Sequence, residues 1–333
     1  MKAARFTGDG NIKIIERKMP DRKKGEALVK VKACGLCGSE KRQLQQGTDI
    51  IPGHEIAGKV IETDSDSYIK NGTRVALYLP YYCGECYYCT QGQTNLCQNI
   101  THLLGHSIDG GYAEYITVKE ENLIPLDPNL SYEAGVLLLD TIGTTHHGLR
   151  IARAENNDIA LVIGCGPIGL GTIFGLRNMG VGKIYATDLI PYRLKIAENL
   201  GAVPLNVDDI NLIEYFRGNY PEGIPLVIDC VGAPFTLKDA VRVVRGGGKI
   251  VVTGEYWEDW TLKPHSDFML KDWQLIRSWY FPVTEINSNM EILKYNPKIV
   301  NKIISHRFSL KELDRAFEMF LNRETAKVII KYD

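Results

Sequence analysis

Over roughly the first 130 residues, apolar positions come in short runs broken by turn residues. The runs at 27–33, 56–62 and 74–79 read as strands, and Asn71-Gly72 is a strong turn signal between the last two. This pattern predicts a β-rich, irregular region. Near Asn157 the character changes: an apolar strand at 159–163 leads into GCGPIG and a helix over 167–179, then a strand over 183–188 and a helix over 191–200. A strand at 226–230, a helix at 236–243 and a strand at 249–254 continue the alternation, which is that of βαβ units on a parallel sheet. Towards the end, Leu313, Ala316, Phe317, Phe320 and Leu321 mark one helix face, and the apolar strand 328–330 follows. The fold class is therefore α/β, with a β-rich part beside a doubly wound parallel sheet.

A length of 333 residues allows two domains with substantial cores. The balance of 39 basic against 40 acidic side chains, net charge -1, gives no support for phosphate-backbone binding, so no nucleic-acid partner is expected. No apolar run approaches the length of a membrane span, and the first residues lack the apolar core of a secretion signal, so a cytoplasmic protein with no membrane partner is expected.

Gly164, Gly166 and Gly169 form G-x-G-x-x-G between a strand and a helix, with Pro167 and Ile168 inside the motif. Glycine at these places permits a tight turn, close approach of a pyrophosphate and close helix packing, and the helix N-terminus stabilises the anion. Asp188 ends the next strand, placed to accept from an adenosine ribose and to repel a 2′-phosphate, which favours NAD over NADP. A glycine-rich turn with a solvated aspartate is the plainer alternative. Arg193 is placed beside the adenine or ribose, or is a surface arginine.

Four of the eight cysteines, Cys83, Cys86, Cys89 and Cys97, give C-x2-C-x2-C-x7-C. Four soft ligands suit a closed tetrahedral zinc of structural duty, with free thiols, an iron–sulfur site or a nucleic-acid-binding ribbon as alternatives. Cys37, in CGLCGSE, with His54 and Glu55, in PGHEIAG, makes a mixed thiolate, imidazole and carboxylate set that fits a zinc keeping a position for substrate; a buried cysteine and a core histidine are the alternative.

With these pieces assembled, the chain resembles the zinc-containing medium-chain dehydrogenase/reductase family, nearest its sorbitol, polyol and threonine dehydrogenases. The resemblance covers essentially the whole chain: CGLCGSE at 34–40, GHEIAG at 53–58, NGTRVA at 71–76, the four-Cys lobe, DGGYAEY at 109–115, the glycine motif and FSLKELDRAFEMF at 308–320. It implies a GroES-like β-rich catalytic domain from 1–145 and 281–333, carrying a structural zinc lobe at 81–99, and an inserted Rossmann nucleotide-binding domain at 146–280.

The resemblance also implies two zincs per chain, one catalytic and one structural. It carries catalytic zinc ligands onto Cys37 and His54, and puts Glu55 where it ligates directly or exchanges with water. The remaining ligand falls on Asp140, where relatives carry Cys or Glu, with His146 and His147 as competitors. Ser39 matches the hydroxyl that starts proton transfer from the alcohol. Glu40 stands where Asp is common, and Arg42 stands where many relatives carry a relay histidine. The implied reaction is hydride transfer between NAD and a secondary alcohol: a polyol, cyclitol or amino-cyclitol. A simple alcohol or aldehyde, a sugar phosphate, and a catalytically silent NAD-binding homologue are the alternatives. Trp257, Trp279, Tyr280, His265 and Arg277 are candidate pocket or subunit-contact residues, and a homodimer or homotetramer is implied.

Overall fold

A computed structural model describes residues 1–156, 159–269 and 271–333, so the change of character near Asn157 lies outside it. Two compact units divide the chain: Met1–Asp140 with Phe281–Asp333, and Thr141–Tyr280. The sequence places the first division at residue 145; it falls instead at Asp140, within a helical turn that runs on across it.

In the first unit, β1 (Lys2–Gly8) and β2 (Asn11–Glu16) form an antiparallel ribbon. A sheet is then built from β3 (Glu26–Gly35), β4 (Glu55–Glu62), β5 (Arg74–Leu77), β6 (Tyr115–Lys119) and β7 (Leu123–Pro125). β3 is central, pairing with both β4 and β6, so its side chains are buried with little alternation. The strand expected at 74–79 stops at Leu77, and Tyr78 instead bonds back to Asn122.

The second unit carries a parallel sheet of β8 (Ile159–Ile163), β9 (Lys183–Asp188), β10 (Val203–Asn206), β11 (Ile224–Asp229), β12 (Val244–Val252) and β13 (Gln274–Arg277). Their order is β10-β9-β8-β11-β12-β13, so the direction of winding reverses at β8. Ligands of open α/β sheets bind at this reversal, outside the carboxyl ends of the strands, and the glycine motif leaves β8 there. Leu161, Tyr185, Phe216, Val227, Leu237 and Ile250 are among the core residues, as continuous apolar strands covered by helices require. The strand expected at 249–254 runs from Val244 to Val252, because the GGG at 246–248 is carried along inside it.

The chain then returns to the first unit, where β14 (Ile304–Ser309) and β15 (Lys327–Lys331) complete the sheet. β15 pairs antiparallel with β3, Ile329 facing Gly35. The helix Leu313–Leu321 buries Leu313, Ala316, Phe317 and Phe320, the face expected from the sequence, while Leu321 is exposed. No helix among the described residues is long and apolar enough to cross a membrane.

Candidate active site and metal centres

Cys37 lies two residues beyond β3 and caps the turn Gly38–Glu40, while His54 immediately precedes β4 and Glu55 opens it. Gly35 of β3 faces Glu55 of β4, so antiparallel pairing makes the exit of one strand and the entry of the other neighbours. Asp140 comes from a wide π-type turn, Leu138–Thr144, that continues the helix Tyr132–Leu137. Such a turn displaces side chains from ordinary helical positions and recurs at functional sites.

One donor atom from each of Cys37, His54, Glu55 and Asp140 lies within 4.8 Å of the others. His54 Nε2 is 3.0 Å from Asp140 Oδ2, and Cys37 Sγ is 3.8 Å from the same oxygen. Burial opposes a charge on His54, yet Asp140, Cys37 and Glu40 together hold its pKa well above the ordinary imidazole value. A thiol, an imidazole and two carboxylates converging in a mostly buried place form a donor set short of positive charge, which fits a divalent cation.

The surrounding shell orients these groups. Glu40 is fully buried, with Oε1 3.0 Å from His54 Nδ1, and it accepts a 2.6 Å hydrogen bond from the Tyr112 hydroxyl. A carboxylate on Nδ1 leaves Nε2 as the ligating nitrogen. Glu55 is held by the buried Lys327, whose ammonium donates to both of its oxygens and to the Leu36 carbonyl. Burial pushes the Glu55 carboxyl up, and the Lys327 ammonium pulls the other way. The His106 ring packs against His54 with centroids 4.6 Å apart and ring planes tilted by 35°. Its nitrogens have no hydrogen-bond partner among the described residues. Desolvation lowers its pKa to about 4.

A knot of glycines sets the backbone around His54. Gly53 (φ +96°) and Gly105 (φ +70°) take left-handed conformations that favour glycine. Cβ atoms placed at Gly105 and Gly110 would lie 2.4 and 2.1 Å from the Gly53 carbonyl oxygen. Gly111 N–H donates to that carbonyl at 2.7 Å.

Ser39 lies in the turn after Cys37, its hydroxyl buried and without a partner among the described residues. Arg42 is exposed on the next short helix and donates to Gln46. His146 is not part of the donor group: fully buried, with both ring nitrogens unpartnered, it packs near Phe174 and burial drives its pKa down to about 3. His147 is not part of the group either.

The second metal-type group is Cys83, Cys86, Cys89 and Cys97. Sulfur pairs lie 3.6 Å (Cys83 to Cys97), 3.9 Å (Cys86 to Cys97) and 4.0 Å (Cys83 to Cys89) apart. Tetrahedral zinc–thiolate geometry needs about 3.8 Å. Backbone N–H groups of Cys83 and Asn99 point at Cys97 Sγ, and that of Cys86 at Cys83 Sγ, each at 3.3 Å. Backbone donors lower the Cys86 thiol to about 6, favouring the thiolate a metal takes.

In the second unit the turn after β8 has Gly164 at φ +90°, and a Cβ at Gly169 would overlap the Gly164 carbonyl. A Cβ at Gly166 would meet nothing within 4 Å, leaving open space before the helix Pro167–Asn178, which contains Ile168. Such space at a helix N-terminus fits a pyrophosphate. Asp188 ends β9 and ties the turn together, accepting from the backbone of Cys165 at 2.7 Å and of Ile190 at 2.9 Å. Arg193 is half-buried in the following helix. Of the other candidates, Trp257, Trp279 and His265 are exposed and Tyr280 is buried. Arg277 donates to the carbonyls of Val252 and Gly254.

Comparison with known proteins now decides the family. Residues 23–128 match the alcohol dehydrogenase GroES-like domain and residues 167–294 the zinc-binding dehydrogenase domain. Sorbitol dehydrogenase of Bacillus subtilis is 31% identical over 76% of this chain and 75% of its own length. The chain belongs to the zinc-containing medium-chain dehydrogenase/reductase family. Its first unit therefore carries the GroES-like domain and its second the Rossmann domain, and the chain falls among enzymes of alcohol oxidoreduction. (R,R)-butanediol dehydrogenase of Bacillus subtilis is 32% identical over 82% of each chain. A short chain alcohol dehydrogenase of Escherichia coli CFT073, solved in complex with NADH, superposes with a TM-score of 0.91 at 26% identity, covering 100% of this chain and 99% of that one.

The sequence reading missed Lys327, Tyr112 and His106. A lone lysine opening an apolar strand was the available signal for the first; the other two carry no local signal.

Proposed function

We propose that this protein is an NAD-dependent zinc dehydrogenase of secondary alcohols, with a polyol-like substrate. The observation that carries the reading is the convergence of Cys37, His54, Glu55 and Asp140 donors within 4.8 Å. Cys37, His54 and Asp140 would hold the catalytic zinc, with Glu55 beside it, and the four cysteines of the lobe a second, structural zinc. Bound there, the catalytic zinc supplies a Lewis acid that favours the alkoxide over the alcohol, and bound NAD supplies the hydride acceptor.

The chain's own residues do the rest. Glu40 fixes the His54 ring so that Nε2 faces the metal. The free Ser39 hydroxyl accepts the alcohol proton and passes it on. Arg42 is no proton carrier near neutral pH, so the onward path from Ser39 does not run through it. Gly164, Gly166, Pro167, Ile168 and Gly169 would hold the pyrophosphate, and Arg193 would stand by the adenosine. Asp188 would receive the ribose and oppose a 2′-phosphate by charge. Support for a polyol comes from the sorbitol and butanediol dehydrogenases among the relatives, and from His106, whose unpartnered imidazole is available to a further hydroxyl.

The test is metal analysis together with reduction of NAD and NADP across polyols, cyclitols, amino-cyclitols and short alcohols. About two zincs per chain and turnover of polyols with NAD are expected. One zinc and no turnover would instead mark a silent NAD-binding homologue. Asp188→Ala should narrow the preference for NAD over NADP about tenfold, and an unchanged ratio would remove Asp188 from that role. Sedimentation is expected to show a homodimer or homotetramer.

A further inference from the structure

Lys327 has 1% of its side chain exposed and opens β15, on the far side of β3 from Glu55. The two meet across the strand because of register and one missing side chain. Ile329 of β15 and Glu55 of β4 both pair with Gly35, so Lys327, two residues before Ile329, reaches past the end of β3. A Cβ at Gly35 would lie 2.5 Å from Glu55 Oε2, so glycine there clears the space in which the carboxylate turns towards the lysine. Both Glu55 oxygens then accept from Lys327, although Glu55 also belongs to the metal-type donor group.

One carboxylate thus stands between two cations, the buried ammonium and the metal expected at Cys37, His54 and Asp140. Burying an ion is costly unless a partner compensates it, so the carboxylate stays with whichever partner holds it better. We infer that Lys327 is a positioning residue that holds Glu55 off the metal and so keeps a coordination position open for the alcohol. This rests on the reading that these residues bind a metal. Removing the ammonium frees Glu55 to close the site as a fourth protein ligand, and closed four-ligand sites are structural rather than catalytic.

The test loads wild-type, Lys327→Met, Glu55→Gln and doubly substituted proteins with Co2+, follows the visible absorption during titration with imidazole, and times Co2+ extraction by a chelator. Wild type and Glu55→Gln should bind imidazole alike. Lys327→Met should bind it at least about tenfold more weakly and release Co2+ about ten- to a hundredfold more slowly. The double variant should return to wild-type behaviour, because the competing carboxylate is gone. A wild-type imidazole response in Lys327→Met overturns the inference. So does rapid metal loss from Glu55→Gln, which would make Glu55 a resident ligand with the lysine in place, and this arm decides the matter even if Lys327→Met does not fold. Failure of the functional reading has a different mark: wild type itself shows no imidazole-responsive Co2+ band.

Discussion

The two metal-type groups of the first unit are built on opposite plans. In the lobe, four identical sulfur donors come from fifteen consecutive residues, and backbone N–H groups converge on them. Around His54, four donors of three chemical kinds come from positions 37, 54, 55 and 140, and the groups behind them are side chains: Glu40, Tyr112 and Lys327. A local, backbone-supported site makes its loop stiff, whereas a site assembled from distant segments through ionisable side chains can be tuned one residue at a time.

The sharpest way to break this contrast is at the lobe. Cys83→Ala should lose one zinc per chain and about 3–5 kcal/mol of stability, read as a lower unfolding midpoint. Unchanged metal content and midpoint would end its structural assignment. Cys37→Ala should also lose one zinc but cut turnover more than about a hundredfold, with NAD affinity and the unfolding midpoint nearly unchanged. If both variants lose stability equally, the two groups do not divide structure from chemistry. The smallest expected effect lies in the shell. Tyr112→Phe keeps the ring packed beside Phe6 and Phe317 and removes one hydrogen bond to Glu40. It should weaken metal retention at the His54 group about tenfold while leaving the lobe's zinc in place. Equal loss from both groups would assign Tyr112 to general packing.

The same contrast explains what was legible beforehand. The cysteine spacing and the glycine turn are local patterns, so both read directly from the chain, as did the alternation that builds the parallel sheet. Asp140 required the resemblance to a family, because nothing near it in sequence marks a ligand, and the structure then places it beside Cys37 and His54. Lys327 stayed hidden because its meaning depends on strand register: 272 residues separate it from Glu55, and only the pairing of β3 with both neighbours joins them. The strand Val244–Val252 was read short because three consecutive glycines ordinarily signal a break; pairing with β11 does lapse across 245–248 and resumes at Lys249, so the glycines form an irregularity inside a longer extended strand.

The knot of Gly53, Gly105, Gly110 and Gly111 bears on how such a protein can diversify. Added side chains would collide with backbone at Gly105 and Gly110 and with the buried Cys34 and Ile56 side chains at Gly111, and Gly53 holds a left-handed conformation, so mutation at the knot is closed off and the path of the chain beside His54 is inherited unchanged. His106 follows directly on one of those glycines. Variation there replaces the side chain beside His54 without moving its anchor, so a descendant can alter that wall of the site at a single codon while the backbone frame around His54 is passed on intact.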